Sequence, residues 1–183
     1  MAPVIALIIV IAVLIYLISI YNGLVTLRRQ TGNAWAQIDV QLKRRYDLIP
    51  NLVETVKGYM SYEQETLDKV ISARNKAIAA GSVHERATAE SEVSAALGGI
   101  FALAEAYPDL KANQNMLSLQ EELKSTENKV AFARQYYNDV VTAYNTRIET
   151  FPTSIVATSG GFKSKELFLI EDPAERQAVQ VKF

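Results

Sequence analysis

The sequence contains no cysteine and a single histidine, His84. The first absence excludes disulfides, thiolate metal ligands and cysteine nucleophiles, and the second excludes a metal site built from several histidines. Nineteen Lys and Arg residues against 20 Asp and Glu residues give a net charge of −1, so the chain lacks the positive excess typical of nucleic-acid-binding proteins. We therefore expect no cofactor, no metal and no nucleic-acid partner.

Charged residues are also absent from Val4 to Tyr21, which read VIALIIVIAVLIYLISIY. As a helix this run is about 27 Å long, close to the ~30 Å hydrocarbon core of a bilayer. No basic residue precedes it and no small-residue cleavage site follows it, unlike a secretory signal peptide. We predict an uncleaved transmembrane anchor over residues 4–27, after a short extracytoplasmic N-terminus at residues 1–3.

The flanks of the apolar run predict its orientation. Basic residues begin at Arg28 and Arg29 and none comes before the run. Because Lys and Arg are retained on the cytoplasmic side, we expect the N-terminus outside and the rest of the chain in the cytoplasm. Arg28 and Arg29 are also candidates for contact with anionic lipid headgroups.

One face of the anchor carries small or polar residues. Ser19 and Gly23 form a small-xxx-small pair, a spacing that lets two membrane helices approach closely. This predicts an association face, whose members are Ala12, Tyr16, Ser19 and Gly23. The competing interpretation is an anchor that simply presents aliphatic residues to lipid.

Beyond Gly32 the apolar residues recur with a helical period, and strand-like alternation is nearly absent. Capping-box patterns at 61–64 and 82–85 predict new helix starts. The last predicted helix carries an apolar or aromatic row in seven-residue steps and ends before Pro152. The members of that row are Met116, Leu123, Val130, Tyr137, Tyr144 and Phe151.

These features predict an all-α protein. An N-terminal transmembrane helix would be followed by an up-down-up-down antiparallel four-helix bundle over residues 33–152, and by a weakly structured tail at 153–183. A second arrangement makes residues 22–80 one continuous rod. It would leave much of the first apolar seam without a partner of matching length, so the bundle is preferred.

The stretch RRYDLIPNL, residues 44–52, places Pro50 inside a helical pattern. Leu42, Ile49 and Val56 keep a seven-residue step across Pro50, which favours one bent helix over two helices. Proline cannot donate to the carbonyl of Tyr46, so a nearby donor should bind this carbonyl. We expect the charges just before the bend, with Arg45 facing inward, to supply that donor.

Several charged residues fall in core-facing positions; Arg45, for example, shares a row with Ile38 and Leu52. A buried charge must be paired, so we predict ion pairs between arginines and acids on the helices. The arginines are Arg45, Arg74 and Arg134, and the candidate acids are Asp47, Glu63 and Glu127. A structural network that fixes helix register is preferred to a catalytic acid pair or proton relay.

The dipeptide Tyr-Asn occurs at 137–138 and again seven residues later at 144–145. Side chains at this spacing lie on one face of a helix. Such a strip either docks a ligand or partner, or packs its tyrosines in the core while the asparagines bind neighbouring backbone groups. The second interpretation is preferred.

Four segments resemble the LemA family in their sequence and order. They are YNGLVTLRRQTGNAWAQIDVQLKRRYDLIPNLVETVKGYMSYEQETLDKVISAR, then ANQNMLSLQEELKSTENKVAFARQYYNDVVTAYNTRIETFP, then GGFKSKELF and the terminal VKF. The resemblance implies a protein of the bacterial cytoplasmic (inner) membrane with one N-terminal span and a helical bundle. It supplies no catalytic residues. A branch similar to this family is associated with magnetosome membrane formation, which suggests membrane shaping by analogy.

No enzyme motif is present. SGGFKS lacks the spacing of a P-loop, and VHERATAE lacks the second histidine of a zincin. We therefore predict a non-enzymatic, membrane-anchored scaffold or interaction protein that contacts membrane lipids and self-associates. The alternative is a membrane-organising or membrane-remodelling homo-oligomer that packs many anchored bundles together with lipid. An enzyme that uses buried carboxylates ranks third.

Overall fold

The computed structural model describes residues 1–59 and 63–169. Within these ranges the chain is all-helical and contains no strand, which confirms the prediction of an all-α protein. The helices are α1 (Ala2–Lys57), α2 (Gln64–Ala79), α3 (Val83–Ala104), α4 (Pro108–Lys111), α5 (Gln114–Glu149) and α6 (Thr153–Ser159).

The apolar N-terminal run belongs to a much longer helix. α1 continues without interruption from Ala2 to Lys57, so no break separates residues 4–27 from the helical sequence after Gly32. Its N-terminal part is long and apolar enough to cross a membrane, with a mean hydropathy of 3.1 over the most apolar window. This is consistent with a single-pass membrane protein.

Pro50 lies inside α1 rather than at a helix boundary, so one helix passes through RRYDLIPNL. α1 ends at Lys57 and α2 begins at Gln64, and the single rod over residues 22–80 is therefore wrong. The predicted capping box at 61–64 falls partly outside the described residues. Glu63 occupies the N-cap position of α2 and makes no side-chain capping bond.

α3 begins at the second predicted capping box. The Ser82 hydroxyl accepts from the Glu85 backbone N–H at 3.1 Å. The Glu85 carboxylate in turn accepts from the backbone N–H of Ser82 at 3.1 Å and of Gly81 at 3.0 Å. These bonds occupy donors that a helix N-terminus otherwise leaves free.

The chain divides into two compact units. Among the described residues, the first consists of Met1–Ile38 and Phe132–Leu167, and the second of Asp39–Ala131 together with Phe168 and Leu169. The core of the first unit joins α1, α5, α6 and the residues after α6. Its buried members are Ile20, Leu24, Tyr144, Ile148, Ala157 and Phe162.

In the second unit, α2 and α3 pack against each other. Its core draws on α1, α2, α3 and α5, and includes Leu42, Ile49, Leu52, Leu67, Val93, Leu97, Ile100 and Leu123. The predicted tail is partly ordered, since α6 lies within it and both Phe162 and Phe168 are buried. Residues 170–183 of that tail lie outside the described residues.

The apolar row of the last long helix is buried at its first five positions, from Met116 to Tyr144. Phe151 does not follow this pattern. It lies beyond the end of α5 at Glu149 and is 80% exposed, because the backbone no longer keeps the helical phase that turned the row inward.

Candidate functional site

Two charged residues are buried in the described chain, Arg45 on α1 and Glu90 on α3, each with 2% of its surface exposed. Arg45 makes the larger number of contacts. Its Nη1 lies 3.2 Å from Oε2 of Glu90. Its Nη2 lies 2.7 Å from Oε2 of Glu127 and 2.8 Å from Oγ of Ser94. With Tyr46, these residues form the group that we call the Arg45 cluster.

Glu90, on α3, uses both of its carboxylate oxygens inside this cluster. Oε1 accepts from the Tyr46 hydroxyl and Oε2 accepts from Arg45. Burial raises the pKa of Glu90, although the Tyr46 hydrogen bond and the Arg45 charge oppose that shift. Burial, followed by the hydrogen bond to Glu90, raises the pKa of Tyr46 far above its usual value, so Tyr46 is a neutral donor to Glu90.

The cluster reaches solvent at Glu127, on α5, whose side chain is 48% exposed. A cavity of about 380 Å³ borders it there and is lined by Arg45, Ser94, Gln120 and Glu127, among others. Within the described chain, Nε of Arg45 is buried without a hydrogen-bond partner. The cluster therefore places one arginine between two carboxylates, of which only Glu127 is accessible.

A second arginine binds the backbone next to the cluster. Nε of Arg74, on α2, donates to the carbonyl oxygen of Tyr46 at 2.8 Å. In a regular helix the backbone N–H of residue 50 would donate to this carbonyl, but Pro50 has no N–H. The donor is a side chain from α2, so the prediction that Arg45 or its neighbours before Pro50 would supply it is wrong; Arg45 instead binds Glu90, Ser94 and Glu127.

Other predicted members of the network lie apart. Asp47 is exposed and pairs with Lys43 at 2.6 Å, so its predicted pairing with an arginine is wrong. It follows Arg45 by two residues, which turns it to the opposite side of α1. Glu63 precedes α2, and Arg134 is half-buried without a carboxylate partner among the described residues. The structure brings together Arg45 and Glu127, whereas neither Arg74 nor Arg134 forms a salt bridge with an acid in residues 1–59 and 63–169.

Two important residues, Glu90 and Tyr46, were not identified as site residues from the sequence. Glu90 could have been found from its position in the sequence, since Val93, Leu97 and Ile100 continue its row along α3. A charged residue in such an apolar row requires a buried partner. A further ion pair, between Arg86 on α3 and Asp39 on α1, lies in the same unit.

The Tyr-Asn repeat binds the segment after α6. The Tyr137 hydroxyl donates to the Glu166 carbonyl at 2.9 Å, and the Tyr144 hydroxyl donates to the Lys163 carbonyl at 3.0 Å. Asn145 donates to the Lys165 carbonyl and accepts from the Lys165 N–H, both at 2.9 Å. We call residues 163–166 the strap. The tyrosines are buried and Asn145 binds backbone, as the preferred interpretation of the repeat expects.

The proposed association face of the anchor, formed by Ala12, Tyr16, Ser19 and Gly23, is exposed throughout. A Cβ added at Gly23 meets no atom within 4 Å. At the lipid-headgroup candidates, the Arg28 guanidinium lies 5.1 Å from the centroid of the Phe162 ring, whereas Arg29 is exposed.

No group of three or more Asp, Glu or His side chains within residues 1–59 and 63–169 is arranged to hold a metal ion. His84 is exposed in the first turn of α3.

The sequence profile of the LemA family matches residues 34–183. Protein LemA of Metamycoplasma hominis is 30% identical over 138 residues, which cover 74% of this chain and 63% of that protein. Magnetosome protein MamQ 2 of Paramagnetospirillum magneticum is 25% identical over 191 residues, covering 90% and 70%. Magnetosome protein MamQ of Magnetospirillum gryphiswaldense is 22% identical over 174 residues, covering 81% and 64%.

The chain thus spans slightly less than two thirds of the M. hominis and M. gryphiswaldense relatives. The family profile nevertheless covers most of the sequence that follows the N-terminal apolar run, from residue 34 to residue 183. Its match agrees with the all-helical structure and with the four sequence segments that suggested the same family. The chain is a helical, membrane-associated member of the LemA family.

Proposed function

We propose that this protein is a single-pass, membrane-anchored helical scaffold that acts by binding other proteins and has no catalytic site. The observation that carries the proposal is the use of both Glu90 oxygens by Tyr46 and Arg45. A carboxylate that acts as a general acid or base must reach its substrate. Glu90 is buried and fully engaged, which supports a structural role for the charge in the core.

We propose further that α1, α2, α3 and α5 pack as the up-down-up-down bundle in the second unit. Two contacts support an antiparallel arrangement of α1 and α5. Tyr59, just after α1, accepts from Asn113, just before α5, at 2.9 Å. Arg44, which precedes Tyr59 in the chain, pairs with Glu122, which follows Asn113, at 2.6 Å. Two others support parallel α1 and α3, since Asp39 pairs with Arg86 and Arg45 with Glu90.

The topology follows from the charge pattern. We propose an N-terminus outside the bacterial inner membrane and the remainder of the chain in the cytoplasm. Arg28 and Arg29 follow the apolar run directly and no basic residue precedes it, which is the asymmetry that retains a flank in the cytoplasm.

Proximity labelling of the full-length protein in cells tests the scaffold. The control is a fusion of residues 1–29, which keeps Arg28 and Arg29, to an unrelated cytoplasmic protein, and it reports neighbours that share only the membrane. We expect a reproducible set of proteins enriched over this control. Identical neighbours for the protein and the control would contradict the proposal.

A second candidate is a membrane-organising homo-oligomer. The exposed face of Ala12, Tyr16, Ser19 and Gly23 favours it, because the open space at Gly23 would admit a second helix. The two relatives named magnetosome proteins add support by analogy.

The oligomer can be tested with Gly23→Leu and a matched Gly32→Leu control. A Cβ at either glycine meets no atom of the same chain within 4 Å, and nine residues of helix place the two on opposite sides of α1. We expect the wild type and Gly32→Leu to share one oligomer size in lipid-retaining polymer discs, and Gly23→Leu to become smaller. A monomeric wild type would exclude this candidate.

A further inference from the structure

The stretch from Thr150 to Phe162 contains no charged side chain. It includes α6, which packs against α1 in the first unit. Ala157 and Phe162 share a buried apolar cluster with Ile20 and Leu24, and Val156 packs at its edge. We call residues 150–162 the α6 segment.

The contacts of the α6 segment place it at the end of the apolar run. Ile20 lies within that run and Leu24 is one turn beyond it. Arg28 follows Leu24 by about 6 Å along the helix, and its guanidinium lies over the Phe162 ring. Tyr21 contacts the same ring, with centroids 5.6 Å apart. Tyrosine and arginine at this position are typical of a membrane interface.

The side of α6 that faces away from α1 is apolar at its centre. Thr153 and Ala157 are buried, whereas Ile155 lies midway between them in sequence and is 60% exposed. Two residues of helix turn a side chain by about 200°, so Ile155 points away from the buried face. Phe151, just before α6, is the other large exposed apolar residue of the segment.

The hydroxyl groups of the segment bind their own backbone. Thr150, Thr158 and Ser159 each donate to the carbonyl four residues earlier, on Thr146, Ser154 and Ile155 respectively. Such bonds reduce the free-energy cost of leaving water, because the hydroxyls keep their partners in an apolar environment.

Charged residues flank the segment on both sides. Arg147 and Glu149 precede it, Lys163 and Lys165 follow it, and all four are exposed. Three of the four are basic, which suits the anionic headgroups of the cytoplasmic leaflet. An uncharged stretch with exposed apolar side chains, bordered by charged residues that include Lys163 and Lys165, is the pattern of an element that lies in a membrane interface.

We propose that the α6 segment is a second membrane contact, which enters the bilayer interface beside α1 with Phe151 and Ile155 in the acyl region. The occupant of this apolar face is lipid, because the face lies at the level where α1 leaves the apolar run. The inference rests on the proposed anchoring of α1. It adds a surface contact that the single span alone does not provide.

Site-directed spin labelling tests the contact in the full chain. Because the sequence has no cysteine, Ile155→Cys and Phe151→Cys each give one labelling site without other changes. Ile9→Cys, in the apolar run, is the lipid control. Phe132→Cys is the water control, since Phe132 is 72% exposed and lies about 24 Å before Ile148 along α5.

Each labelled protein is reconstituted in vesicles of phosphatidylethanolamine and phosphatidylglycerol. Collision rates with oxygen, which prefers lipid, and with a water-soluble nickel chelate then report depth. We expect the oxygen-to-nickel ratio at residues 155 and 151 to lie between those of residues 9 and 132. Circular dichroism checks that all four variants stay helical.

Three results would overturn the proposal. If the oxygen-to-nickel ratio at residues 155 and 151 equals that at residue 132 while residue 9 lies in lipid, the α6 segment lies in water and the proposed anchor still stands. Low collision with both reagents, together with spin–spin broadening between chains, shows a second copy of the protein on this face. If a label at residue 9 collides only with the nickel chelate, α1 does not lie in the membrane. Both the proposed anchor and the inference that rests on it are then wrong.

Discussion

Arg45 and Glu90 are 45 positions apart in the chain and form a salt bridge with both side chains buried, Nη1 lying 3.2 Å from Oε2. The neighbouring Arg44 points outward and pairs with Glu122 at 2.6 Å, with both partners substantially exposed. Two consecutive arginines of one helix thus experience opposite environments.

Replacing Arg45 with methionine leaves Glu90 buried without its cation. The expected loss of unfolding free energy is about 3–5 kcal/mol, whereas Arg44→Met should cost about 0–1 kcal/mol because its pair is solvated. Urea unfolding of the full-length variants in one detergent measures both values. Equal losses at the two positions would show that the cluster contributes no more than a surface pair.

Arg74 and Pro50 should be energetically coupled through the Tyr46 carbonyl. Arg74→Met leaves this carbonyl without the side-chain donor and should cost about 1–3 kcal/mol. With Pro50→Ala the helix regains an N–H for the same carbonyl, so the cost of Arg74→Met should fall. A double-mutant cycle measures the coupling, and additive losses would exclude it.

The buried Glu90 predicts a definite pH dependence. Its pKa is raised in the folded state, chiefly by burial, so the folded protein binds this proton more tightly than the unfolded chain does. The contribution of protonated Glu90 to the free energy of unfolding is therefore complete below the pKa of glutamate in the unfolded chain, about 4.3. This contribution is lost as pH rises through the pKa of Glu90 in the folded protein. Relative to Glu90→Gln, the wild type should gain stability as pH falls from 7 towards 4.3.

Unfolding free energies of the two proteins over this pH range provide the measurement. Comparison with Glu90→Gln cancels the titration of the other carboxylates to first order. If the difference in unfolding free energy between the wild type and Glu90→Gln stays constant with pH, or changes in the opposite direction, the pKa of Glu90 is not raised on folding.

Asn145 should control access to the strap. Asn145→Ala removes both bonds to Lys165, so trypsin should cleave after Lys163 and Lys165 faster than in the wild type. Asn145→Asp keeps the acceptor and loses the donor, and should be intermediate. Asn128→Ala, an exposed change on the same helix, is the control. Mass spectrometry of timed digests reports each cleavage, and equal rates in all four proteins would show that Asn145 does not restrain the strap.

The sequence was most informative where a pattern repeats along one helix. The seven-residue step through Leu42, Ile49 and Val56 predicted that α1 passes through Pro50, and the same register turned Arg45 inward. The capping box at Ser82 located the start of α3. These are local features, which depend on few residues and are therefore readable without tertiary information.

Features that depend on distant contacts were harder to predict. Gly32 suggested a boundary between anchor and domain, yet a single helical glycine costs only about 1 kcal/mol and its neighbours sustain α1. The sequence analysis included Glu127 among the candidate partners of Arg45 but not Glu90, because the pairing of residues on different helices depends on how the helices pack. α6 has a loop-like sequence, but Ala157 and Phe162 find apolar partners on α1 and α5.

The Arg45 cluster also bears on the order in which the protein is made. Arg45 leaves the ribosome before its three partners on later helices, and Glu90 follows it by 45 residues. At about 5–20 residues per second, Arg45 remains without Glu90 for seconds, and without Glu127 for longer. Tyr46 likewise has a free carbonyl until Arg74 is synthesised. The C-terminal part of α1 therefore emerges without the partners that complete its packing, and its final packing must await translation of the second half of the chain.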